Sequence, residues 1–241
     1  MRKLSLCRIA IFFALLAASS CCQTSFAQQL LRDEVTGKTQ GWHFSLHRGA
    51  PRVIILPEAA DDDAERISLA RSLLKLRCNV YIPRMDDVFF NPHTSPDSLT
   101  RLTKQAVSEI FRWDHPSEVL LVGAGKSASL ALLTSLRDFR VKAVIALSPG
   151  EFFGERYNLT DSLSALSIPV LALYRQEEQK MVRGIFKKSN RRLTVFSPTL
   201  HRSGYPALTD SGKRGGEAWL AVSIFYNEQY GGWGDAHLNP E

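Results

Sequence analysis

Six short apolar runs, each separated from the next by a polar or helix-patterned segment, constrain this chain more than any other feature. They are RVIILP (Arg52 to Pro57), NVYIPR (Asn79 to Arg84), EVLLV (Glu118 to Val122), KAVIALSP (Lys142 to Pro149), IPVLALY (Ile168 to Tyr174) and RLTVFS (Arg192 to Ser197). Runs this short and this uniformly apolar fit strands buried on both faces. Between them, Asp61 to Cys78 has an acidic first turn and late basic residues, the charge order a helix dipole favours. Ser95 to Phe111 opens with capping residues and sets Leu99, Leu102, Ala106 and Ile110 on one face. Glu177 to Lys188 and Gly216 to Tyr230 also read as helices. The alternation predicts one α/β domain: a mostly parallel central sheet with helices on both faces. Residues 28–50 read as a polar lead-in, FFNPHTSPDS (Phe89 to Ser98) and the stretch holding His201 as loops, and the tail after Tyr230 as irregular. No repeat or linker divides the chain.

The N-terminus reads separately. Met1-Arg2-Lys3 and Arg8 precede ten apolar residues, Ile9 to Ala18, and Ser25 to Ala27 form an A-x-A-like cleavage site. That pattern is a secretory signal peptide over residues 1–27, too short to span a membrane as a helix. It implies an exported mature chain, 28–241, in a bacterial periplasm or outside the cell. Cys21 raises a lipoprotein variant, against which stands Ala18, where the lipobox has leucine. Cleavage after Ala27 removes Cys7, Cys21 and Cys22 and leaves Cys78 alone, so no internal disulfide can form. It also lowers the net charge from +6 to +3, with 27 basic against 24 acidic residues. Such a balance gives no argument for nucleic acid. The basic cluster KKSNRR (Lys187 to Arg192) reads as a solvated helix end.

The chemistry concentrates at LLVGAGKSASLALL (Leu120 to Leu133), where a strand turns at once into a helix. Gly125-Lys126-Ser127 matches the end of a phosphate-binding P-loop, but the first glycine of that motif should fall at Leu120. The next strand ends in Ser148-Pro149, with no acid to hold Mg²⁺. Export to a compartment poor in ATP also counts against an NTPase. The alternative frame is the nucleophile elbow, G-x-S-x-G, in which small residues let a sharp turn and a helix approach closely. Gly123-Ala124-Gly125-Lys126-Ser127 occupies that frame, with Gly125 at the nucleophile position.

On these residues the chain resembles the α/β-hydrolase superfamily, and more closely the dienelactone-hydrolase-like esterases. VLLVGAGKSASLALLTSLRDFRVKAVIALSPGEFFG looks like their elbow, helix and next strand. IPVLALYRQEEQ looks like the strand that delivers the triad acid, and LTVFSPTLHRSG like the last strand and histidine loop. The similarity covers roughly residues 50–230, in the order nucleophile, acid, histidine. The resemblance implies an α/β-hydrolase fold, with the acid at Glu178, or Glu177 with a one-residue slip, and the histidine at His201. It also marks departures. Gly125 stands where the serine should be, Arg202 where a glycine usually follows the histidine, and Pro57-Glu58 where a His-Gly pair helps build the oxyanion hole. Pro57 has no N–H to offer, and Glu58 brings negative charge toward a site that should stabilise an oxyanion.

Ser127, two residues past the apex, reads either as a small packing residue or as a displaced nucleophile. Lys126 beside it could contribute its backbone N–H as an oxyanion donor, but adjacent helical residues do not face each other, so a Ser-Lys pair is a weak reading. His43, His47, His93, His115 and His237 have no metal-ligand spacing and read as surface histidines. Asp61 to Asp63 reads as acidic residues opening a helix. Phe152 and Phe153 line either a pocket or the core. No metal and no cofactor is implied. Two functions follow. One is an exported pseudohydrolase that binds a small apolar or ester-like ligand, or a protein partner, at the old cleft. The other is an active ester or acyl hydrolase using Ser127, or a water activated by His201 with Glu178 as its orienter, and either would work without nucleic acid.

Overall fold

The computed structural model describes residues 27–32, 39–46, 48–58, 63–114, 118–154, 157–210 and 213–231. The expected signal peptide up to Phe26, its three cysteines, Asp61 and Asp62, His47, His115, His237 and the rest of the C-terminal tail lie outside the described residues.

All six apolar runs form strands: β3 (Arg52–Ile55), β4 (Asn79–Pro83), β5 (Val119–Ala124), β6 (Val141–Leu147), β7 (Val170–Leu173) and β8 (Thr194–Ser197). Two more, β1 (Ala27–Arg32) and β2 (Thr39–Ser45), form in and just before the stretch read only as a polar lead-in. They join β3 to β8 in one eight-stranded sheet of order β1-β2-β4-β3-β5-β6-β7-β8. Among the described strands only β2 runs against the rest: it pairs antiparallel with both β1 and β4, whereas every pairing among β3 to β8 is parallel. Gly41 lets β2 lie tight against β4: a Cβ there would stand 2.2 Å from the Ile82 carbonyl oxygen.

The helices divide between the two faces. Those named below are α1 (Asp63–Leu73), α2 (Asp86–Phe89), α3 (Pro96–Asp114), α4 (Lys126–Ser135), α5 (Leu159–Ser162), α6 (Gln179–Ile185), α7 (Pro206–Thr209) and α8 (Lys213–Tyr230). On one face, Leu121, Val144 and Ala172 of the sheet meet Val107 of α3, Leu130 of α4 and Val182 of α6. On the other, Ile55, Val122 and Leu171 meet Leu69 of α1 with Val222 and Phe225 of α8. Neighbouring residues within a strand go to opposite faces, as the pleat requires. A strand covered twice needs apolar side chains throughout, which explains the unbroken runs. α7 is a single turn inside the stretch that reads as the His201 loop, and α2 is a single turn that ends at Phe89, where the loop read from the sequence begins.

His43 departs from its expected surface position. It lies half-buried in β2, its Nε2 2.7 Å from a guanidinium nitrogen of the buried Arg52. Burial, and then the Arg52 charge, push its pKa down to about 4. Cys78 is buried, as a free thiol, with its pKa pushed up by burial to about 12. Among the described residues no helix is long and apolar enough to cross a membrane, and no group of three acidic, histidine or cysteine side chains could hold a metal ion.

Candidate functional site: the elbow and the strand ends around it

Parallel strands deliver their C-terminal ends to one edge of the sheet, where α/β proteins place their sites. Along that edge stand Pro57-Glu58 after β3, Gly125 after β5, Ser148 after β6, Arg175 to Glu178 after β7, and His201 after β8.

The elbow is built as its sequence requires. Gly125 has φ 55° and ψ −119° and hands the chain directly from β5 to α4. A side chain is rarely tolerated in that conformation. Gly123 is required for a different reason: a Cβ there would meet the Ser127 carbonyl oxygen at 2.4 Å and the Ala128 nitrogen at 2.6 Å. The absent side chain lets α4 come down onto the end of β5. At Gly125, by contrast, a Cβ would meet nothing within 4 Å. The apex therefore combines a sharp strand-to-helix backbone with open space where a side chain would stand.

Ser127 does not fill that gap. It is fully buried, and its hydroxyl donates to the Ala124 carbonyl at 3.0 Å while accepting the Ala124 N–H at 2.9 Å. Both contacts staple the turn, which is the packing role. Ser129 has a similar job across the fold, donating to the Gly150 carbonyl at 2.7 Å and accepting the Gly150 N–H at 3.1 Å. Lys126 turns toward α2: its Nζ donates to the Phe89 carbonyl at 3.1 Å and stands 4.9 Å from the centre of the Phe89 ring. Burial lowers its pKa.

The expected acid is occupied elsewhere. Glu178 accepts the Ser148 hydroxyl at 2.7 Å, the Arg175 backbone N–H at 3.0 Å and the Arg175 guanidinium at 2.6 Å and 3.1 Å. Burial alone would raise its pKa, but these hydrogen bonds outweigh it and hold the carboxyl below its ordinary value. Glu177, the slip alternative, is exposed and pairs with Arg175 at 3.2 Å. Neither is bonded to His201. The partner of His201 is Asp210, whose Oδ2 lies 3.0 Å from its Nε2, and its Nδ1 is buried with no hydrogen-bond partner. Asp210 sits nine residues further along the same loop, and no pattern in the sequence marks it. Arg175, three residues before Glu178, offers a spacing that could have been read as a competing ion pair. Ser148 has a left-handed φ of 46°, unusual for a residue with a side chain.

At the end of β3, Pro57 is buried and Glu58 is half-buried. The Glu58 carboxylate accepts the Tyr205 N–H at 3.1 Å and closes against Gly204, where a Cβ would meet its oxygens at 2.6 Å and 2.7 Å. Tyr205 is itself fixed to the sheet, its hydroxyl donating to the Leu56 carbonyl at 2.5 Å. Glu58 thus fastens the loop that holds His201 to the end of β3. Of the two phenylalanines after β6, Phe153 packs against the core and Phe152 is half-exposed, its ring over Gly150.

No protein-family model matches the chain, and no curated protein matches it significantly by sequence. Solved structures do match. A fungal esterase from Rhizomucor miehei superposes with a TM-score of 0.65 at 11% identity, covering 91% of this chain and 89% of its own. A Klebsiella pneumoniae protein, provisionally named a dienelactone hydrolase, gives 0.65 at 14% identity, over 83% of this chain and 97% of its own. The esterase domain of a Rhodothermus marinus protein gives 0.58 at 12% identity, over 86% of this chain and 99% of its own. At such identities the likeness speaks for the fold alone. Together with the single reversed strand, the order of the sheet and the sharp glycine turn after β5, it shows that this chain has the α/β-hydrolase fold.

Proposed function

We propose that this chain is an exported pseudohydrolase, which binds a small apolar or ester-like ligand or a protein partner at its old cleft and performs no Ser-His-acid catalysis. The observation that carries this reading is Gly125, which keeps the elbow backbone and an open side-chain space but has no atom to attack a carbonyl. The surroundings support it. A triad needs nucleophile, base and orienter in hydrogen-bonded sequence. Here Ser127 is bonded to its own turn, Glu178 to Arg175 and Ser148, and His201 to Asp210. Bringing Ser127 into play means unpacking the first turn of α4, and misplacement of a reacting group by about 1 Å is already costly.

A second reading rests on a specific observation: the histidine survives at its family position with a carboxylate bonded to it. In that reading His201 activates a water and the protein turns over esters. Incubation with p-nitrophenyl butyrate separates the two. The first reading expects the ester to be recovered intact, with p-nitrophenolate released no faster than in buffer. Release that His201→Ala abolishes establishes the second.

A further inference from the structure

The charge of this chain is concentrated in one place. From Lys180 to Arg192 there are six basic residues and no acid: Lys180, Arg183, Lys187, Lys188, Arg191 and Arg192. Residues 28–241 carry +3, so everything outside this segment sums to −3. The segment is α6 and the turn that leads into β8, the strand at the open edge of the sheet. It is held rigidly, because Val182, Ile185 and Phe186 are buried beneath it. Lys180, Arg183, Lys187, Lys188 and Arg192 are exposed above those anchors. Among the described residues, Asp161 pairs with Lys188, and Glu177 and Glu178, just before the segment, pair with Arg175.

The apolar side chains in and beside the patch help define its partner. Met181, at 47% exposure, stands between the cations of α6, and Val195 is equally exposed at the sheet edge. Single-stranded nucleic acid is held by aromatic faces on which bases stack, and among the described residues of the patch none is offered: Phe186 is buried, and the Phe196 ring is covered by the Arg183 guanidinium, 4.8 Å from its centre. Two copies meeting at β8 would bring like charges together. A rigid cationic face with scattered exposed aliphatic side chains matches a surface of anionic lipid headgroups.

We propose that α6 and the turn into β8 form an electrostatic docking face for anionic phospholipid membranes. The test is co-sedimentation of the full chain with vesicles of phosphatidylglycerol mixed with phosphatidylcholine, against vesicles of phosphatidylcholine alone. Arg2, Lys3 and Arg8 also favour anionic lipid, so the contribution of the N-terminus is removed by comparing two variants that share it. The triple variant Lys180→Glu, Lys187→Glu, Arg192→Glu is compared with a control of equal net charge change placed elsewhere, Lys75→Glu, Arg84→Glu, Arg101→Glu. The wild type is expected to prefer the anionic vesicles and to lose that preference as salt rises. At about fivefold per cation near the surface, loss of the three cations alone should weaken binding on the order of a hundredfold, and the added carboxylates should weaken it further, with the control close to wild type. Equal binding to both vesicle types overturns the proposal. So does an equal loss in patch variant and control, which would reflect net charge alone. Tighter, patch-dependent binding to a duplex or single-stranded oligonucleotide than to the vesicles also overturns it and assigns the face to nucleic acid.

Discussion

Two glycines one residue apart in the elbow should respond very differently to the same added methyl group. At Gly125 the methyl meets nothing within 4 Å, so the whole cost is backbone conformation, φ 55° and ψ −119°. Holding a side-chain-bearing residue in such a region costs about 1–3 kcal/mol. Restricting the unfolded chain returns about 0.4–1 kcal/mol. Gly125→Ala should therefore destabilise by about 1–2 kcal/mol. At Gly123 the same methyl stands 2.4 to 2.6 Å from three backbone atoms of α4. Reaching ordinary contact requires the helix to retreat by about 1 Å. The helix cannot do so freely, because Ala128 through Thr134 are buried against the sheet and its neighbours. Forcing extra volume into such a site costs about 1–3 kcal/mol and sometimes more, and here the obstacle is backbone rather than a movable side chain. Gly123→Ala should lose about 3 kcal/mol or more, a large part of the 5–15 kcal/mol typical of a domain. Urea unfolding followed by circular dichroism reads both. With slopes of about 1–3 kcal/mol per molar, Gly123→Ala should lower the midpoint roughly twice as far as Gly125→Ala. Equal losses, or a Gly123→Ala variant within about 0.5 kcal/mol of wild type, would refute the tight helix approach.

Other outcomes follow from the same contacts. Ser127→Ala leaves the buried Ala124 N–H without its 2.9 Å acceptor, so it should cost about 1–3 kcal/mol in the same unfolding experiment and alter no ester turnover. Gly204→Ala and Glu58→Ala should be coupled in a double-mutant cycle by about 0.5–3 kcal/mol, because the added Cβ collides with the Glu58 carboxylate; strict additivity would show that the two do not touch. His43 is held neutral, with its pKa lowered from 6.5 to about 4. The unfolded chain therefore binds this proton first, and stability falls as pH drops from 6.5 toward 4. Relative to a His43→Gln variant, wild type should lose on the order of 1–2 kcal/mol over that window after discounting for partial exposure, and parallel pH profiles would contradict a half-buried histidine held neutral. Gly125→Ser should fold with a loss similar to Gly125→Ala and gain no p-nitrophenyl ester turnover, since His201 and Glu178 are engaged elsewhere.

The parallel sheet was legible because β3 to β8 are buried on both faces and must be apolar throughout. β1 and β2 were not, because TQGWHFS mixes Trp42 and Phe44 with polar residues and a glycine, as suits a strand near the sheet edge. The elbow could be read to the residue, since the close approach at Gly123 and the strained turn at Gly125 are local demands on residue type. The acid could not. Whether Glu178 reaches His201 depends on competing partners from β6 and β7, and Arg175 and Ser148 take it. Asp210 becomes the histidine's partner through the path of a loop that includes the single turn α7, and no spacing rule announces that path.

The most direct test of the claim that serine chemistry has been lost is intact mass after exposure to an alkyl fluorophosphonate, which phosphonylates activated serines. The wild-type mass should be unchanged. A single phosphonyl adduct that disappears in Ser127→Ala would contradict it, and would make the buried hydroxyl of Ser127 a working nucleophile.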